Sequence, residues 1–199
     1  MSVEETIATY DRIAADYAHR WQDRSIMALA LARFLKQVPG GATVLDVGCG
    51  PGFDCLALSA HGLRVVGLDL SRGMLQVGRS RGYPGHFVQA DMRRLPLNNS
   101  LDALWCNAAM LHLAYRDAAS ALREFFRVLR HGGALFIAVK EGQGEAQRSQ
   151  SYGPDAPRYF TYWQGDQLDA ALRQSGFKLA SSWTGDAPER RWLCRLASK

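Results

Sequence analysis

A chain of 199 residues that is 47% hydrophobic and 22% charged has the size and mix of one compact folded unit, which excludes a disordered or collagen-like chain. No stretch approaches the roughly 18 consecutive apolar residues of a membrane span. The first twenty residues carry Glu4, Glu5, Asp11 and Asp16 where a secretory leader would be basic and then apolar, so a cytoplasmic chain that needs no processing is expected. The net charge of +5 would permit a nucleic-acid or acidic-membrane partner if it were gathered on one face. Instead the arginines are scattered singly or in pairs such as Arg93-Arg94 and Arg190-Arg191, the pattern of a solvated surface. Cys49, Cys55, Cys106 and Cys194 include no Cys-x-x-Cys pair and no histidine spacing that would complete a zinc set, so reduced thiols and no metal are expected.

Ser2-Val3-Glu4-Glu5 has the form of a capping box, and behind it Val3, Ile7, Tyr10, Ala14, Tyr17 and Trp21 recur at steps of three and four. That spacing predicts an amphipathic helix with an aromatic stripe. A second helix is predicted from about Ile26 to Val38, stopped by Pro39-Gly40-Gly41. The rhythm then changes. Thr43 to Val47 is a β-branched run that ends in Gly48-Cys49-Gly50-Pro51-Gly52, and Phe53 to Ala60 follows as a helix. Arg64 to Asp69 reads as a second strand, with Ser71 as the cap of a short helix, and this makes a βαβ unit. His86 to Ala90, Leu101 to Cys106 and Ala134 to Val139 continue as strands, with a helix from about Asp117 to Arg130. Strands alternating with helices imply a parallel sheet covered on both faces.

Beyond Lys140 the pattern departs. Glu141 to Arg158 is polar and rich in glycine and proline, so it is expected to be a long loop of the lid or binding kind. Gln164 to Ser175 reads as a helix, and Phe177 to Trp183 and Arg191 to Ala197 as strands joined by the turn Gly185-Asp186-Ala187-Pro188. So short a connection leaves no room for a crossover helix and makes an antiparallel hairpin. The expected fold class is α/β, a Rossmann-like doubly wound seven-stranded sheet, mostly parallel with a C-terminal antiparallel hairpin. One domain is expected over 1–199: an N-terminal helical cap (1–38), a cofactor-binding core (42–140) and an acceptor-side loop, helix and hairpin (141–199).

A strand that ends in glycines at alternate positions and runs into a helix is shaped for close approach by a ligand. The missing Cβ atoms clear the space, and the helix start offers free N–H groups to an anion. A tight turn without ligand is the alternative use. Twenty-one positions after Gly48, Asp69 ends the second strand, where a carboxylate can accept bonds from ribose hydroxyls. The dinucleotide fingerprint is G-x-G-x-x-G, whereas this loop is G-x-G-x-G with Asp46 two places before its first glycine. An acidic group is unfavourable beside a pyrophosphate and useful beside an ammonium, so the ligand should carry an amine and a carboxylate as well as a nucleoside.

Val44 to Gly52, with Asp69-Leu70-Ser71 and Gln89-Ala90-Asp91-Met92, resembles the class I S-adenosylmethionine-dependent methyltransferases, and within them the small-molecule branch that includes the ubiquinone and menaquinone biosynthesis enzymes. The resemblance runs from Tyr10-Asp11 to Gly133 and is weakest beyond Lys140. It implies S-adenosyl-L-methionine as cofactor. It also implies Gly48, Gly50 and Gly52 along the methionyl part, Asp46 near the amine, Asp69 at the ribose with Leu70 as a further cofactor contact, Asp91 and Met92 at the adenine and Asn107 beside the sulfonium; a buried-turn or helix-capping role is the alternative for Asp69, and a turn at the end of the third strand for Asp91. Tyr17, and Tyr10 with core packing as its rival, would fold over the cofactor from the first helix.

A sulfonium methyl is already electrophilic, so in-line alignment and exclusion of water are the protein's main contributions. An acceptor that must lose a proton would use a base, and His112, after the fourth strand, is the leading candidate. Its alternative is ordering the loop. His19, His61, His86 and His131 fall on helix ends or turns. The aromatic segment Tyr152, Tyr159, Phe160, Tyr162 and Trp163 points to an apolar or planar small-molecule acceptor, with core packing as the other use of those rings. A nicotinamide oxidoreductase is disfavoured by the glycine spacing. An amino-methylating DNA enzyme is disfavoured by Asn107-Ala108-Ala109-Met110, where a Pro-Pro-aromatic acceptor motif would stand. An RNA methyltransferase and a non-catalytic S-adenosylmethionine-binding regulator stay open.

Overall fold

The computed structural model describes residues 3–83, 85–148, 152–187 and 190–199, so Ser2 of the capping box and Pro188 of the hairpin turn lie outside the described residues. In chain order the elements are α1 (Val3–Arg20), α2 (Ala28–Leu35), β1 (Thr43–Val47), α3 (Phe53–Ala60), β2 (Arg64–Asp69), α4 (Arg72–Ser80), β3 (His86–Gln89), β4 (Leu101–Asn107), α5 (Tyr115–Val128), β5 (Leu129–Lys140), β6 (Glu145–Arg148), β7 (Arg158–Thr161), α6 (Gly165–Gln174), β8 (Lys178–Ala187) and β9 (Arg190–Ser198). The main sheet has the order β3-β2-β1-β4-β5-β9-β8. Its first five strands are mutually parallel, and β9 runs antiparallel to both neighbours.

The alternation of side chains along each strand builds two apolar layers. Leu45, Leu104, Cys106, Leu135 and Ile137 face the layer that holds Leu122 and Phe125 of α5 with Leu168 and Leu172 of α6. Their neighbours Val44, Ala103, Trp105, Phe136 and Ala138 face the other layer, with Phe34 of α2, Cys55 and Leu58 of α3 and Leu75 of α4. Burial on both faces explains why β1, β4 and β5 read as nearly continuous apolar runs. Strand β9 enters the sheet interior with Leu193, Cys194, Leu196 and Ala197 buried, while the more polar β8 is left at the edge. No helix among the described residues is long and apolar enough to cross a membrane.

The structure corrects three boundaries. The segment expected as a loop over 141–158 contains β6, which pairs antiparallel with β7 from Glu145↔Thr161 to Arg148↔Arg158 in a separate two-stranded sheet. Glu-Ala-Gln-Arg carries no apolar alternation, so this strand exists through its partner and not through its own pattern. Helix α5 stops at Val128, and β5 begins at Leu129 rather than Ala134. A register shift between Leu101 and Ala103, with Gly132 at a φ of 76°, absorbs the extra residues. Finally, β8 and β9 reach Ala187 and Arg190, so most of the expected turn is strand.

Candidate active site

A cleft lies at the carboxyl ends of β1, β2 and β4, covered by α1, and holds about 760 Å³ of free space counting its open mouth. From β1 the chain runs outward through β2 to β3 and then crosses back to β4 on the other side of β1, so this is the switch point at which open α/β sheets place their ligands. Of the residues predicted from sequence, Tyr17, Gly48, Gly50, Asp69, Leu70, Asp91, Met92, Asn107 and His112 line the cleft, together with Tyr10. Asp46 and Gly52 do not appear in its lining.

The glycine loop is held by its backbone. Gly48 and Gly50 have φ of 70° and 54°, and a Cβ on Gly48 would stand 2.2 Å from that of Ala109. The Gly50 N–H donates to one oxygen of Asp69 and the Ser71 N–H to the other, both at 2.8 Å. These bonds fix the carboxylate in the cleft, while burial still lifts its pKa above the usual carboxylate range.

Asp46 lies beneath the loop. It is 2% exposed and accepts a bond from Cys55 Sγ at 3.1 Å. Burial and the neighbouring Asp54 carboxylate raise its pKa well above normal. Gly52 opens α3 and, with Gly67 and Gly78, forms a cradle for the Phe87 ring; a Cβ at any of the three would come within 2.7 Å of that ring. Asp91 has two sets of neighbours. It lines the cleft, and it accepts from the Arg93 amide at 2.8 Å and from the Arg93 guanidinium at 2.6 Å. Burial would raise its pKa, but the bonds to Arg93 outweigh that and hold it low.

Two aspartates that no sequence pattern assigned a role tie the site together. Asp11 Oδ1 accepts from Ser71 Oγ at 2.6 Å and from the Gly73 N–H at 2.7 Å, which clamps α1 onto the start of α4. Asp54 accepts from the Arg24 guanidinium at 2.7 and 2.8 Å, from Trp105 Nε1 at 2.9 Å and from Asn107 Nδ2 at 2.9 Å. Tyr10-Asp11 falls within the family resemblance, but nothing local to Asp54 announces a four-donor hub.

The far wall joins residues from three separate elements. His112 is half-buried and held between Tyr10 Oη, 2.8 Å from its Nε2, and the Tyr159 carbonyl, 2.7 Å from its Nδ1. The carbonyl can only accept, so Nδ1 carries the proton and Nε2 accepts from the Tyr10 hydroxyl. Burial, reinforced by the positive charges of Arg158 and Lys140 and opposed by the Tyr159 bond, pushes the His112 pKa down to about 3. A neutral imidazole of that acidity, already bonded at both nitrogens, is a weak base.

Arg158, on β7, is 6% exposed, and its guanidinium packs among the rings of Tyr10, Tyr152 and Phe160 at 5.6, 4.9 and 5.2 Å. Its Nη1 reaches Tyr10 Oη at 3.4 Å, its Nε has no hydrogen-bond partner, and no carboxylate pairs with it among the described residues. Removing an unpaired guanidinium from water costs several kcal/mol, of which each ring contact returns only ~0.5–2 kcal/mol. Of the aromatic segment, Phe160, Tyr162 and Trp163 are buried in the core, and Tyr152 stacks on Tyr17 at 6.3 Å.

Comparison with known proteins agrees with this geometry. Residues 45–137 match the methyltransferase domain family. The chain is 37% identical over 188 residues to a malonyl-[acyl-carrier protein] O-methyltransferase of Pseudescherichia vulneris, a match covering 89% of this chain and 68% of that protein. It is 32% identical to a demethylmenaquinone methyltransferase of Renibacterium salmoninarum, over 68% of this chain and 58% of that one. Across the malonyl-[acyl-carrier protein] relatives the matched stretch spans between 38% and 68% of their length. In fold the chain is similar to the Burkholderia thailandensis 1,6-didemethyltoxoflavin-N1-methyltransferase, solved with 1,6-didemethyltoxoflavin and S-adenosylhomocysteine. The TM-score is 0.79 at 22% identity, covering 100% of this chain and 91% of that one. The chain belongs to the S-adenosylmethionine-dependent methyltransferases.

Proposed function

We propose that this chain binds S-adenosylmethionine in the cleft beneath α1 and transfers its methyl group to a small-molecule acceptor by in-line displacement. The observation that carries the reading is the Asp69 carboxylate, oriented by the amides of Gly50 and Ser71, in one cleft with the glycine loop of a methyltransferase domain. The residues present fit the cofactor: an oriented carboxylate for two ribose hydroxyls, the Ala90 to Met92 segment as a wall for a flat base, and a loop that a Cβ would fill. When bound, the cofactor supplies an electrophilic methyl on a positively charged sulfur.

Gly48 and Gly50 admit the methionyl part, and Asn107, steadied by Asp54, stands beside the reacting centre. Tyr10 and Tyr17 close the cleft from α1 and exclude water. Asp46 and Gly52 support the loop from below. His112 orders the far wall by accepting from Tyr10. On this reading residues 1–38 cap a cofactor core of 42–140, and 141–199 provide the acceptor side.

Calorimetric titration of the purified chain with S-adenosylmethionine, S-adenosylhomocysteine and NADH tests it. One-to-one binding of both sulfur compounds and none of NADH is expected, and the opposite preference would overturn the reading.

A further inference from the structure

Behind the Tyr10 wall of the cleft lies a cation with no carboxylate partner among the described residues, and the histidine beside it is bonded at both ring nitrogens; the two features point to one kind of acceptor. Arg158 is brought by β7 against Tyr10, which lines the cleft, and its Nε is buried without a partner. A guanidinium presents parallel N–H groups in a planar fork that matches the two oxygens of a carboxylate. Lys140 adds a second positive charge near His112, with its Nζ 4.3 Å from the Phe160 ring centre. The cleft's own carboxylates are engaged elsewhere, Asp69 by the amides of Gly50 and Ser71 and Asp91 by Arg93.

The proton inventory agrees. The Tyr10 hydroxyl donates a hydrogen bond to His112 Nε2, and His112 Nδ1–H donates one to the Tyr159 carbonyl, so neither imidazole nitrogen is open to an acceptor. An acceptor that must be deprotonated, such as a phenol or an ammonium, needs a base other than His112. An acceptor that arrives already ionised needs none.

Building on the methyl-transfer reading above, we propose that the acceptor is a carboxylic acid, bound as its carboxylate by Arg158 with Tyr10 beside it, and that the product is a methyl ester. One carboxylate oxygen forms the new bond to the methyl carbon. The sulfur–methyl bond breaks with its electron pair returning to sulfur. The sulfonium and the reacting carboxylate become a neutral thioether and a neutral ester, and no proton is taken up or released. Arg158 holds the unreacting oxygen and leaves the other aimed at the methyl.

The test uses the full chain with tritiated-methyl S-adenosylmethionine and two sets of probes. One set is a malonyl N-acetylcysteamine thioester and trans-aconitate, and the other is a naphthoquinol and a catechol. The carboxylate probes should accept label that base hydrolysis releases as volatile methanol, with no change in the proton content of a weakly buffered medium. Arg158→Gln should raise the KM for the acid by roughly 10- to 100-fold, the range for losing bonds to a charged group. Its S-adenosylmethionine affinity should stay within about threefold, and Arg158→Lys should recover part of the loss.

A direct binding arm needs no turnover. The S-adenosylhomocysteine complex should bind trans-aconitate more tightly than its neutral trimethyl ester, and Arg158→Gln should abolish the difference. Three results overturn the proposal: equal binding of acid and ester, label passing only to the quinol or catechol, or an equal loss of cofactor affinity in Arg158→Gln, which would make Arg158 a ligand of the cofactor's own carboxylate. Failure of the unaltered chain to bind S-adenosylmethionine is read separately and overturns the methyl-transfer reading instead.

Discussion

The half-buried His112 makes stability depend on pH in a way that isolates one side chain. In the unfolded chain its imidazole titrates near 6.5, and in the folded chain burial holds it neutral down to about pH 3. Between these values the unfolded state binds more protons, so stability falls as pH drops below about 6.5 and the loss is complete near pH 3. At about 1.4 kcal/mol per unit, moving from pH 7.5 to pH 5.0 should cost roughly 2 kcal/mol through this residue. Other groups contribute with mixed sign. Asp46 and Asp69, with raised pKa values, are relieved by acidification, whereas Asp91, with a lowered one, loses stability at the acid end. All three are present in a His112→Gln variant, so the difference between the two proteins removes them. Urea unfolding at the two pH values should show the unaltered chain losing ~2 kcal/mol more than His112→Gln. Equal losses would mean that His112 is hydrated or protonated in the folded state, and the assignment of its Nε2 as an acceptor for Tyr10 would be wrong.

Three other substitutions probe the cofactor side, and Gly62→Ala serves as a control away from it. Asp69→Ala should weaken S-adenosylmethionine binding by about 1–3 kcal/mol in calorimetry; unchanged affinity would remove this carboxylate from the ribose. Gly48→Ala should lower the unfolding free energy by more than ~2 kcal/mol, since αL strain alone costs about 1–2 kcal/mol and the new methyl meets Ala109 at 2.2 Å. Gly62→Ala, at a φ of 77° with nothing within 4 Å, should cost only the strain, and similar losses at both sites would refute the steric argument. Asp11→Ala should cost about 1 kcal/mol as α4 loses a cap and should weaken cofactor binding as α1 loosens. A drop in melting temperature with no change in affinity would separate the clamp from the site.

The order of elements and much of the cleft were legible in the chain because they rest on local rules. Alternation marks strands buried on both faces, three- and four-residue steps mark helices, and glycines mark the backbone positions with positive φ. Gly48, Gly50 and Asp69 therefore announce themselves within one βαβ unit. What the chain concealed depends on closure between distant segments. Strand β6 has no apolar pattern and exists because β7 pairs with it. The set Tyr10, His112 and Arg158 spans 148 positions and meets only when β7 is laid between α1 and the turn after β4, with Tyr159 bonded to Thr6 on one side and to His112 on the other.

The same closure reassigned roles that sequence could pose but not decide. As a side chain His112 is a base candidate, and enclosure made it a neutral acceptor. Gly52 belongs to a ligand-binding motif, and its missing Cβ makes room for Phe87. Alternation and spacing thus determined a doubly wound α/β sheet with a glycine loop after β1, and the resemblance carried by that loop pointed to the methyltransferases. The tertiary structure alone decided which charges are buried and which find partners, because desolvation and pairing are properties of the surroundings a fold creates and not of the residue that is placed in them.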